Sequence, residues 1–141
     1  MSKGKLAGII VACIIAIIVV IVLMQDHPPT LPPASYPTDA ISWHEAKDHI
    51  GERTTVCGPV VDATWASGSN GKPTFLNLGK PYPDPDRFTV VIWIQYRSNF
   101  AQAPESYYLG KTICVTGLLV PYDDIAEIEV KYPSEIEIQE P

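Results

Sequence analysis

Hydrophobic positions change period along this chain. From Leu6 to Met24 they are continuous, LAGIIVACIIAIIVVIVLM, with neither charge nor proline. As a helix such a run spans about 28 Å, close to the hydrocarbon thickness of a bilayer, and predicts a transmembrane segment. Lys3 and Lys5 precede it and Asp26 follows. The positive-inside rule then makes residues 1–5 a cytoplasmic stub, residues 6–24 a signal anchor, and everything beyond extracytoplasmic. Two alternatives compete with the anchor. A cleaved signal peptide has a shorter apolar run and a small-x-small site, and neither is present before the prolines. Ile10-Val11-Ala12-Cys13 looks like a lipobox, which would make Cys13 a lipidated N-terminus, but the apolar run continues for eleven residues past that cysteine.

Beyond the run the pattern shortens. Residues 25–38 hold five prolines in fourteen positions, the composition of an extended stalk. Residues 39–141 read as one domain. Ile41 to Gly51 predicts a short helix, with Ser42 and Glu45 at capping-box spacing and Trp43, Ala46, His49 and Ile50 near one face. Period-two alternation then predicts strands over Thr54–Trp65, Thr74–Leu78, Phe88–Tyr96, Lys111–Leu119 and Ile125–Tyr132. Pro59 cannot donate to a ladder, so a bulge is expected there. The strand Phe88–Tyr96, FTVVIWIQY, is apolar on both faces and is expected at the centre of the sheet, covered on both sides or presenting Trp93 as a binding surface.

Five short strands, a helix before the first and an irregular insertion between the third and fourth predict an all-β, five-stranded Greek-key barrel. The segments Ile41 to Ala46, Val56-Cys57-Gly58, Phe75 to Gly79, Phe88 to Trp93, Gly110 to Gly117 and Pro133 to Ile136 resemble small bacterial OB-fold domains of the nucleic-acid-binding, tRNA-anticodon-like type. The resemblance spans about residues 41–138. It implies a binding module rather than an enzyme, with single-stranded nucleic acid as its ligand class. It also makes the first and fourth strands antiparallel neighbours, which would let Cys57 and Cys114 form a cross-strand disulfide in an oxidising compartment. The other reading of the two cysteines is a buried, reduced, apolar pair.

Charge changes this picture. The domain carries eight cations against fifteen acids, a net charge of −7, which repels a polyanion unless the cations cluster. Lys72, Lys80, Arg87 and Arg97 flank the second and third strands, whose outer face would carry Phe75 and Trp93. Bases stacked on Phe75 and Trp93 with phosphates on the four cations is the single-strand binding pattern. Tyr82, Tyr96, Tyr107 and Tyr108 could instead line a groove for a glycan or a peptide of another envelope protein. Enzyme chemistry and cofactors find no support in the sequence. His44 and His49 are five apart, outside the spacing that aligns metal ligands on a helix, and Asp84 and Asp86 read as turn residues rather than a calcium site.

Overall fold

The structure is a computed structural model and describes residues 36–140. The expected stub, membrane anchor, Cys13 and most of the proline-rich segment lie outside the described residues. Among the described residues no helix is long and apolar enough to cross a membrane.

Among the described residues eight strands form one sheet: β1 Ala40–Ser42, β2 Arg53–Trp65, β3 Thr74–Leu78, β4 Phe88–Ile92, β5 Thr112–Leu118, β6 Val120–Tyr122, β7 Ile125–Glu129 and β8 Ile136–Gln139. Their order is β6-β7-β4-β3-β2-β5-β8, with β1 added parallel to β2. The long β2 organises it. Its first half, Arg53 to Pro59, pairs antiparallel with β5, and its second half, Val60 to Trp65, pairs antiparallel with β3. β3 pairs with β4, and β4 pairs in parallel with β7, which also touches β5. Strands β2, β3, β4, β5 and β7 thereby make the centre of an open mixed sheet of the OB-fold-like class.

The core follows the period-two reading. Val56, Val60, Leu76, Leu78, Phe88, Val90, Ile92, Ile113, Val115, Ala126 and Ile128 are buried in one cluster. Cys57 and Cys114 are direct partners across β2 and β5 and form a disulfide, with Cα atoms 4.1 Å apart. Both are buried.

Five features differ from the pattern, the simplest being that the last predicted strand ends at Glu129 rather than Tyr132. The strand count is eight rather than five, because β1, β6 and β8 run only three or four residues, too short to register as alternation. The central strand ends at Ile92 rather than Tyr96. There the backbone turns into a one-turn helix, Ile94–Arg97, drawn aside by the loop before β3: Ile94 N–H donates to the Gly71 carbonyl at 3.3 Å, and Trp93 lies so close to Gly71 that a Cβ there would sit 2.8 Å from its Cζ3. The segment before β2 begins as strand β1 and continues as a 3₁₀ helix, Trp43–His49. The irregularity expected at Pro59 falls between Val60 and Asp62, while Pro59 itself stays in register opposite Thr112.

The 3₁₀ helix closes one end of the barrel, touching β2, β4 and β7. Its Trp43 lies over two glycines. A Cβ on Gly58 would approach Trp43 Cδ1 to 2.6 Å, and one on Gly79, whose φ is +75°, would fall inside the indole.

Candidate binding cleft on the sheet face

Period-two alternation sends every second side chain of β2, β3, β4 and β7 away from the core. Those at Asp62, Thr64, Phe75, Asn77, Thr89 and Glu127 line one cleft of about 460 Å³, together with Ala66 and Ser69 of the β2–β3 loop, Tyr82 and Arg87 of the β3–β4 connection, and Tyr122 of β6.

A polar chain runs across its floor. Thr89 Oγ1 donates to Asn77 Oδ1 at 2.9 Å, and Asn77 Nδ2 donates to Asp62 Oδ2 at 2.8 Å. The Tyr82 backbone N–H also donates to Asp62 Oδ2, at 3.1 Å, which ties the connecting loop down over the sheet. Asn77 and Thr89 are buried and satisfied, so they fix the orientation of the Asp62 carboxylate.

Arg87 and Glu127 supply charge at the other side. The Arg87 guanidinium sits 5.2 Å from the centroid of Tyr82, a cation–π contact. Its Nη1 donates to the Asp84 carbonyl at 2.8 Å, and its buried Nε has no hydrogen-bond partner among the described residues. Glu127 lies opposite Thr89 in the parallel β4–β7 register. Burial pushes its carboxyl up to about 7; Arg87 opposes that shift, while Glu129 and Asp123 add to it. A half-buried carboxyl without a donor partner is easier to keep protonated than ionised.

Of the residues singled out in the sequence, Phe75 and Arg87 line the cleft and four others do not. Trp93 is half-buried against Gly71. Lys72 and Lys80 are exposed on the loops either side of β3. Arg97 is engaged: its Nη1 and Nη2 bond both oxygens of Glu105 at 2.7 and 2.8 Å, Nη1 also reaches Thr74 Oγ1 at 2.6 Å, and the guanidinium lies 4.4 Å over the Trp65 ring. Tyr82 does line the cleft, whereas Tyr96, Tyr107 and Tyr108 do not. Asp62, Asn77, Thr89, Tyr122 and Glu127 were not singled out. Alternation marks their face, but only the non-local pairing of β2, β4 and β7 brings them together.

Among the described residues no three His, Cys, Asp or Glu side chains converge as a metal site. Asp84 Oδ1 accepts from the Asp86 N–H at 2.9 Å and Asp86 Oδ1 pairs with Lys47 Nζ at 3.1 Å, the bonding of a turn. A second hollow, about 480 Å³, lies between Asn99–Gln102, Tyr107, Tyr108 and β8.

No protein-family model matches the chain, and no curated protein does. Among solved structures, the asparaginyl-tRNA synthetase from Pyrococcus horikoshii is similar over 72% of this chain and 22% of its own, at 14% identity and a TM-score of 0.48. The yeast Stn1 and Ten1 structure is similar over 77% of this chain and 66% of its own, at 14% identity and a TM-score of 0.48. For the aspartyl-tRNA synthetase from Entamoeba histolytica the figures are 83% and 24%, 13% and 0.44. The chain therefore spans about a quarter or less of the length of these synthetase chains. None of the three reaches a TM-score of 0.5, so the OB class rests on the strand order given above.

Proposed function

We propose that the domain is a binding module, held at the outer face of a membrane by Leu6–Met24, that takes a short stretch of single-stranded nucleic acid in the sheet-face cleft. The observation that carries this reading is the company in the cleft: Phe75, Tyr82 and Tyr122 offer ring faces, Asp62, oriented by the buried Asn77 and Thr89, offers a fixed acceptor, and Arg87 offers a cation. Stacking on aromatic faces with few cations suits contact made through bases more than through the backbone. Lys72 and Lys80, both exposed, flank the site and would meet phosphates entering or leaving it. Trp93 and Arg97 support the surface rather than contact the ligand. The Cys57–Cys114 bridge supports placement in an oxidising compartment.

A second reading is favoured by Asp62 and Glu127, two acids inside the cleft of a domain of net charge −7. On that reading the ligand is a glycan or a segment of another envelope protein, and the module remains a binder without chemistry of its own.

Salt separates the two. The full chain in detergent, titrated with a fluorescently labelled oligonucleotide at roughly 20 and 200 mM salt, should bind more weakly at the higher salt. Phe75→Ala should weaken binding roughly 5- to 100-fold, the range for one lost base stack. Absence of binding at the lower salt, where phosphate attraction is strongest, would remove nucleic acid and leave the second reading. An unchanged affinity in Phe75→Ala would remove the cleft as the site.

A further inference from the structure

Arg87 and Glu127 share one wall of the cleft and are differently provided for. Asp62, the other acid there, has two N–H donors on one oxygen. No hydrogen bond reaches Glu127 among the described residues, and the nearest opposite charge is the Arg87 guanidinium, attracting it without a bonded ion pair. Arg87 is likewise incomplete. One nitrogen is held by the Asp84 carbonyl, Nε is left without an acceptor, and the ring over it, Tyr82, is itself 71% exposed. One face of the guanidinium lies under the exposed Tyr82 ring, so displacing that one side chain opens this face to an anion.

We propose that Arg87 is the seat for one ligand phosphate and that Glu127 governs access to it, repelling the anion when ionised and admitting it when protonated. This rests on the nucleic-acid reading of the cleft. The charges acting on Glu127 are Arg87, which favours the ionised acid, and Glu129 of β7 itself and Asp123 of the β6–β7 turn, which oppose it; Asp62 from β2 is the other acid lining the cleft. Arg87 from the β3–β4 connection is the cation among the cleft-lining residues.

Protonating Glu127 removes a negative charge beside Arg87, and a phosphate on Arg87 in turn favours the protonated acid. Binding and proton uptake are then linked. Because Glu127 is held near 7 by burial before any ligand arrives, the linkage operates across neutral pH. A phosphodiester keeps its single charge throughout, so the dependence belongs to the protein.

The experiment is a series of titrations of the full chain in detergent with the labelled oligonucleotide, from roughly pH 5.5 to 8.5 at fixed ionic strength, on the wild type, Glu127→Gln and Arg87→Lys. Wild-type affinity is expected to fall about tenfold between pH 6 and 8, the limit for one linked proton. Glu127→Gln should keep its pH 6 affinity at pH 8. Arg87→Lys, which preserves charge but removes the flat guanidinium, should bind more weakly with the pH dependence retained. If wild type and Glu127→Gln bind with the same pH dependence, the role of Glu127 is overturned while the binding reading stands. If neither binds at any pH, the nucleic-acid reading itself falls, and the phosphate seat with it.

Discussion

Two arginines of this domain show how context decides what a guanidinium does. Arg97 is bidentate to Glu105, bonded to the buried Thr74 and laid over Trp65, so its charge is spent on holding the connection after β4 to the sheet. Arg87 keeps an Nε with no partner among the described residues beside the cleft. The bond to Arg97 is the main force holding the Glu105 carboxyl below its ordinary range, against a smaller effect of burial. A depressed acid contributes stability that is present above its unfolded pKa and is lost as pH falls through the folded one. Glu105→Gln should therefore destabilise the domain by about 1–2 kcal/mol at neutral pH, and by less in strong acid, as read from thermal melts at the two pH values. Sequence pattern alone reaches Phe75, because β3 alternates cleanly. It does not separate Arg97 from Arg87, since both flank a strand and the difference lies in Glu105, which sits on a one-turn helix, Pro104–Tyr107, too short to register as a pattern.

The 3₁₀ helix Trp43–His49 is held by shape more than by hydrogen bonds. Trp43 occupies ground left open at Gly58 on β2 and Gly79 after β3, so one indole locks the helix to two neighbouring strands. A methyl at position 58 has no room to enter. Gly58→Ala is expected to cost about 1–3 kcal/mol through overpacking, measured by denaturant unfolding, and combining it with Trp43→Leu should show strong non-additivity. The strands themselves were legible to within a residue or two at β2, β3 and β5, where one face meets the core and the other does not. At β4 the pattern overran. Ile94 and Tyr96 continue the alternation in sequence, yet the Gly71 loop captures Trp93 and the Ile94 N–H, a contact with a segment some twenty residues earlier that periodicity cannot register. The β6–β7 turn is a similar case. Asp123 and Asp124 adopt φ of 45° and 64°, the left-handed pair that a two-residue hairpin requires, filled here by residues that tolerate it without glycine.

Over the whole barrel, the covalent link between β2 and β5 matters because it joins residues 57 positions apart. Closing a loop of that length in the unfolded chain is worth about 4 kcal/mol on the chain-entropy account, a large share of a small domain's stability. Replacing both cysteines, Cys57→Ser with Cys114→Ser, is expected to lower the melting temperature by more than ten degrees at roughly the usual sensitivity of a domain this size; a melt unchanged in the double variant would mean that the bridge carries no stability. The bridge also divides the chain in a way that concerns tension. Asp62, Phe75, Asn77, Tyr82, Arg87 and Thr89 all lie between Cys57 and Cys114, inside a closed covalent ring. A pull applied at the two ends of the chain passes from Cys57 straight to Cys114 and does not traverse that ring. Force reaching the domain along its N-terminal segment can peel β1 and lift Trp43 from its seat, but it cannot stretch out the strands that carry most of the cleft.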